Sequence, residues 1–320
     1  MTAVWIILGV ALVIVIALAA IGLVSFKQTI YKPLNAWPID PNDTLRLNRA
    51  KLREKNNNYL YSLNPEDLTL KNEDGLNLKA WFLQPGKPSK RFVICIHGYQ
   101  CNGPDECSHL LPFYLEQLGY NYLLPDLRAH GRSEGKYAGF GQLDYKDIQL
   151  WTDYLVDRFG EDIEIILHGI SMGAGTAMLT VCNNPRKQVK LCIEDCGYTN
   201  AYDVILNTVN DMFPAFLQKI KFTNLVTSLG SMFCKIFAKY SYKEADPLGK
   251  MKDAKTPIMF VHGTADDFVP FPMVKELYAA CPTKKTLFTV EGADHAFSYY
   301  NAMEEYQQRI KEFMKETIGL

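Results

Sequence analysis

The sequence predicts an α/β protein: an eight-stranded, mostly parallel sheet with helices on both faces, set behind one membrane-length helix. Two observations carry the sheet. Short apolar runs recur along the chain, and helix-length segments separate the later ones, which is the alternation that builds parallel sheets. A third carries the leading helix, an uncharged and proline-free run from Val4 to Val24. That is about the 20 residues needed to cross a hydrocarbon core of roughly 30 Å.

Composition bounds the possibilities. The 320 residues are 48% hydrophobic and 22% charged, which suits one large domain with a substantial core. Lys and Arg number 34 against 35 for Asp and Glu, so no global positive field draws phosphates, and nucleic acid is set aside as a partner. The eight cysteines form no CxxC pair and no Cys/His cluster of zinc spacing. Cys95, Cys182, Cys192 and Cys234 sit in apolar runs, where thiols pack as small hydrophobes. Buried, reduced cysteines are therefore expected rather than a disulfide framework.

Residues 1–25 are expected to be a transmembrane anchor. A cleaved signal peptide is the alternative, since Ala17, Ala19 and Ala20 look like a cleavage site, but the run is long and no basic residue precedes it. Lys27 and Lys32 follow the run, which under the positive-inside rule leans the rest of the chain towards the cytoplasmic side of the cell membrane. Residues 26–64 turn polar and helical, with Asp43 or Thr44 as a cap before Leu45, Leu47 and Leu52; a packing arm and a solvated linker both fit. Residues 65–320 form the main domain. Strands are expected at 67–71, 76–83, 92–96, 121–124, 163–168, 189–193, 257–261 and 286–290, with helices at 107–118, 145–159 and 172–182. The first two strands face each other across Glu73-Asp74-Gly75, a hairpin signal. At about 200–246 the rhythm breaks into a stretch rich in Met and Phe, read as a helical cap insertion or as ordinary core. No internal repeat is present.

The chemistry centres on Gly169-Ile170-Ser171-Met172-Gly173, between an expected strand and an expected helix. A sharp strand-to-helix turn needs small residues on either side, and it lifts a serine hydroxyl into the open beside a helix N-terminus. The pentapeptide alone arises by chance in roughly one chain of this length in ten, so the strand before it and the helix after it carry the weight. A serine hydroxyl needs a base, and the base needs an acid to set its tautomer. His295 is the one histidine that follows the acid candidates. Of the others, His97, His109, His130, His168 and His262 are expected to be structural. The acid candidates are Asp266 and its neighbour Asp267, in His262-Gly263-Thr264-Ala265-Asp266-Asp267; the pattern from His262 to Pro270 resembles hydrolase loops in which the acid stands at the position of Asp266, and a helix cap suits Asp267 better. The oxyanion of acyl transfer needs two amides; Met172 supplies one and Tyr99, after His97-Gly98, the other.

Ser171, Asp266 and His295, together with His97-Gly98 and the loop from Pro125 to Ser133, resemble the α/β-hydrolase superfamily over about residues 75–315. The run Asp195-Cys196-Gly197-Tyr198-Thr199 is similar to membrane-anchored or exported bacterial hydrolases related to the serine aminopeptidase and prolyl-oligopeptidase-like families. The resemblance implies the α/β-hydrolase fold and a loop from Asp126 to Ser133 that shapes the site floor. The expected function is hydrolysis of carboxylic esters, hydrophobic or lipid-like in the acyl group, through an acyl-enzyme. A serine peptidase is the alternative, and a non-catalytic membrane-bound binding module is a third. No metal or organic cofactor and no obligate protein partner are expected.

Overall fold

The computed structural model describes residues 2–31 and 41–319. Lys32, used above for sidedness, lies outside the described residues. One sheet holds eight strands: β1 (Glu66–Lys71), β2 (Asn77–Leu83), β3 (Arg91–Ile96), β4 (Asn121–Pro125), β5 (Glu164–Ile170), β6 (Val189–Asp195), β7 (Ile258–Gly263) and β8 (Lys285–Val290). Their order is β1-β2-β4-β3-β5-β6-β7-β8. The β1/β2 and β2/β4 pairs are antiparallel and every other pair is parallel. Strands buried on both faces read as near-continuous apolar runs, and β3 to β7 are buried along almost their whole length. Successive side chains take opposite faces. Phe92, Ile94 and Ile96 of β3 therefore enter one apolar cluster, while Val93 and Cys95 enter the other.

The β1–β2 hairpin closes as its sequence suggests. Gly75 adopts φ +79°, where a side chain would be strained, and its amide donates to the Asn72 carbonyl at 3.0 Å. The Asn72 side-chain oxygen accepts from the amides of Asp74 and Leu76.

Among the described residues, two helices precede the sheet, α1 (Thr2–Thr29) and α2 (Thr44–Ser62). The boundary expected at residue 25 falls inside α1, which continues to Thr29. Its last turns pack against the domain, where Phe26 and Ile30 are buried in the cluster shared with β3. Asp43 caps α2, accepting from the Arg46 amide at 2.9 Å. The α2 helix lies on the domain through Leu60 and through Arg49, whose guanidinium meets buried Glu106 at 2.5 Å.

After β3 comes α3 (Gly103–Cys107). The helix expected at 107–118 is not continuous: a 3₁₀ turn at Ser108–Leu110 gives way to a π-helical turn at Pro112–Gln117. Pro112 has no amide to return to the carbonyl four residues back, so the ladder breaks there. It resumes with a wider bond, the Leu118 amide to the Phe113 carbonyl at 3.2 Å. Then follow α4 (Asp144–Phe159) and α5 (Met172–Cys182), both close to expectation. The stretch between β6 and β7 holds α6 (Ala201–Met212), α7 (Ala215–Lys219), α8 (Phe222–Phe237) and α9 (Pro247–Lys250). The chain ends with α10 (Pro272–Ala280), α11 (Ser298–Asn301) and α12 (Met303–Ile318). All eight cysteines are free, and all but half-buried Cys101 are buried.

Candidate active site

Parallel strands open their carboxyl ends to a common crevice, and the candidate side chains stand there. Ser171 follows β5 directly, with φ +56° and ψ −116°. A non-glycine residue holds such angles only where its surroundings over-determine them, and here they do. The Ser171 amide donates to the Asp195 carbonyl at 2.8 Å, and the Ser171 carbonyl accepts from Ala174 and Gly175 at 2.9 and 3.1 Å. The flanking glycines are needed for closeness. A Cβ on Gly169 would collide with the Gly173 carbonyl oxygen, and one on Gly173 with that of Ile96.

His295, in the loop after β8, places Nε2 2.8 Å from Ser171 Oγ and Nδ1 2.8 Å from Asp266 Oδ2. Asp266, in the loop after β7, also accepts the Val269 amide on Oδ1 at 2.8 Å. Burial works against the Asp266 charge, but hydrogen bonds from His262 and His295 outweigh it and hold the carboxyl down to about 2. It therefore stays ionised. Asp267 is exposed, and its carbonyl accepts from Asn207 of α6 at 2.8 Å.

The loop after β3 runs against the serine: a Cβ on Gly98 would lie 3.3 Å from Ser171 Cβ. His97 braces that loop. Burial lowers its pKa to about 4. The neutral ring donates from Nδ1 to the Gly98 carbonyl (2.7 Å) and accepts the Leu127 amide on Nε2 (2.9 Å). The Tyr99 hydroxyl donates to the Thr29 carbonyl at 2.7 Å, which ties this loop to the end of α1. Met172 occupies the first position of α5, where an amide has no acceptor within the helix. The arrangement can accept a proton from a serine and present helix-end amides to a developing negative charge.

The loop from Asp126 to Ser133 is held in shape by its own hydrogen bonds. Asp126 accepts the amides of Gly103 and Arg132, each at 2.9 Å, and its carbonyl accepts from the Ser133 hydroxyl at 2.6 Å.

Sequence reasoning missed three features. His262 Nε2 donates to the Val269 carbonyl at 2.9 Å and lies 3.3 Å from Asp266 Oδ2; its place four residues before the acid was the available signal. Beneath Ser171 runs a chain of donors. Tyr114 donates to His168 Nδ1, His168 Nε2 to the Tyr306 oxygen, and Tyr306 to Asp195, each at 2.9 Å. That direction follows because burial lowers His168 to about 3 and leaves it one ring proton. Lastly, Arg128 grips Asp147 with two bonds of 2.7 and 2.8 Å, joining the floor loop to α4. Cys196, Asp266 and His295 also offer ligand atoms within 4.8 Å of one another. Burial pushes the Cys196 thiol well up, however, so it stays protonated, and the carboxylate and imidazole are already bonded to each other.

This fold and this geometry define an α/β hydrolase of the serine type. The chain belongs to the prolyl oligopeptidase family, whose model matches residues 108–320. It is 26% identical over 243 residues to the uncharacterised protein YqkD of Bacillus subtilis, covering 75% of this chain and 76% of that protein. It is 25% identical over 315 residues to the α/β hydrolase domain-containing protein WAV2 of Arabidopsis thaliana, covering 95% and 92%. Among solved structures, the Pyrococcus furiosus esterase Pf2001 superposes with a TM-score of 0.66 at 24% identity, covering 90% of this chain and all of that one.

Proposed function

We propose that the chain is a membrane-anchored serine hydrolase that cleaves hydrophobic carboxylic esters. Ser171 attacks the carbonyl, His295 takes its proton, Asp266 holds the imidazole in the Nδ1–H tautomer, and the amides of Met172 and Tyr99 receive the oxyanion. His295 then returns its proton to the leaving alcohol, and water drawn onto Nε2 hydrolyses the acyl-enzyme. The observation that carries this is the unbroken relay of two 2.8 Å bonds from Ser171 through His295 to Asp266.

The α1 helix supports an anchor, and eight free thiols with exposed Lys27 support a cytoplasmic domain. Residues 1–25 as anchor, 26–64 as arm and 200–246 as cap remain the proposed organisation. The ester reading rests on the apolar cap and on likeness to an esterase; the family name supports a peptidase as the second reading.

The test is hydrolysis of p-nitrophenyl esters from acetate to palmitate by the full chain and by Ser171→Ala. The variant should lose about 10⁴-fold or more in kcat, with rates in the wild type rising with acyl length. Wild-type activity in the variant would exclude Ser171. A wild type that is labelled at Ser171 by a fluorophosphonate yet hydrolyses no ester would favour the peptidase.

A further inference from the structure

By exposure, α1 falls into two parts. Residues 3–20 are almost entirely bare, with Trp5, Ile7 and Val13 each about two-thirds exposed or more. At 1.5 Å per residue that bare stretch is about 27 Å long, close to the hydrocarbon thickness of a bilayer. From Ile21 onward the helix docks on α8 at close range. A Cβ on Gly22 would sit 2.8 Å from the Phe233 ring, and one on Gly230 would sit 2.5 Å from Ser25 Oγ. Phe26 stacks on Phe237 with ring centres 5.5 Å apart. The edge of the bilayer, set by the length of α1, therefore falls where α8 begins to touch it.

The cap is apolar on its outside. Phe216 and Ile220 of the α7 region are 63% and 69% exposed, and Met232, Ile236 and Phe237 of α8 between 44% and 50%. Large apolar side chains left exposed in this number on two neighbouring helices mark a candidate binding face. Residues 214–239 also carry four lysines, Lys219, Lys221, Lys235 and Lys239, and no acidic residue. Lys27 adds another exposed cation from the last turn of α1. Lys235 is paired with Glu244 at 2.7 Å, which leaves Lys219, Lys221 and Lys239 as the lysines of this stretch outside that ion pair; apolar side chains mixed with lysines are the composition of helices that lie in an anionic membrane interface. Behind this face, α6 holds the acid-bearing loop through Asn207, and Phe268 of that loop lies 4.9 Å from the His295 ring.

We infer that the outer face of α7 and α8 is seated in the headgroup–acyl boundary of an anionic bilayer beside α1, so that Ser171 draws its ester from the membrane. This rests on the anchored-hydrolase reading above and adds the source of the substrate.

The test uses the full chain in vesicles of phosphatidylcholine and phosphatidylglycerol. An NBD fluorophore is placed at Phe216→Cys or Ile220→Cys, with Lys187→Cys, exposed at the opposite end of the sheet, as the reference. Emission at 216 and 220 should shift to the blue and be quenched by nitroxide-bearing lipid several-fold more than at 187. Quenching equal to that at 187 overturns the inference. So does a blue shift without lipid quenching, which would mean that a second protein copy covers the cap.

In a second arm, Phe216→Asp with Ile220→Asp should slow hydrolysis of a vesicle-embedded long-chain ester roughly tenfold or more while leaving p-nitrophenyl acetate unchanged. Equal rates on the embedded ester would refute supply through the cap. If the wild type cleaves neither ester, the ester-hydrolase reading fails, while the quenching arm still decides where the cap sits.

Discussion

Asp266→Asn isolates the most consequential bond in the proposed mechanism. Asn at this position keeps one oxygen, which can still accept the Val269 amide now held at 2.8 Å. The other atom becomes an NH₂ facing His295 Nδ1, where the carboxylate accepts at 2.8 Å, and His262 Nε2 at 3.3 Å. Donor then meets donor twice. His295 escapes by moving its proton to Nε2, which leaves Nδ1 free to accept from the amide, but Nε2–H then points at Ser171 Oγ and no longer accepts its proton. The expected loss in kcat is about 10⁴-fold, the scale of the same change in the serine-protease triad, or roughly 5 kcal/mol of transition-state stabilisation at 1.36 kcal/mol per decade.

His262 has no such escape, because the Val269 carbonyl requires its Nε2 proton. Its clash should cost about 1–3 kcal/mol of folding stability, the penalty for a buried group left facing the wrong partner. The assay is kcat and KM on a soluble p-nitrophenyl ester, paired with urea unfolding, for Asp266→Asn and for Asp267→Asn as the control. The control side chain is exposed, and its variant should stay within about twofold of wild type, as surface changes do. An Asp266→Asn enzyme that folds and retains a tenth or more of wild-type kcat would refute the orienting role of Asp266. Loss of activity confined to Asp267→Asn would move the acid to its neighbour.

Two further outcomes follow from burial and charge. Phe26→Ala, which empties a buried site between Tyr137 and Phe237, should destabilise the domain by about 3 kcal/mol; urea unfolding that leaves the midpoint unmoved would show that the end of α1 is not part of the fold. Asp266, held at about 2 against an ordinary 3.8, stabilises the folded state above about pH 4. That contribution, roughly 2 kcal/mol, is lost as pH falls towards 2; unfolding free energies measured across that window should fall less steeply in Asp266→Asn than in wild type.

The strands and the elbow were legible because their causes are local. A strand buried on both faces must be apolar over five or six consecutive residues, and Phe92-Val93-Ile94-Cys95-Ile96 meets that condition with no long-range information. Gly169 and Gly173 mark the elbow because nothing larger fits beside the carbonyls of Gly173 and Ile96. The order along the chain was enough to propose Ser171 and His295, since few histidines compete, whereas the choice of Asp266 over Asp267 rested on the resemblance of its loop. Even the break at Pro112 was written in the sequence, as a proline inside an apparent helix, and the reading passed over it.

Other features depended on partners far away in the chain. Nothing near Phe26 indicates that it lies against Tyr137 and Phe237, so the sequence left residues from 26 onward open between a packing arm and a solvated linker, and the burial of Phe26 comes from partners far along the chain. The Arg128–Asp147 pair, the line from Tyr114 to Asp195, and the contact of His262 with Asp266 each join side chains whose types are common and whose spacing carries no period. The sequence by itself determined which strands form and where the elbow serine stands, because hydrophobic period and turn sterics act within a few residues, and it narrowed the candidate acid and base to a few side chains. Only the tertiary structure decided what braces those residues and which surface α8 shares with α1, because packing between distant segments leaves no local mark on either.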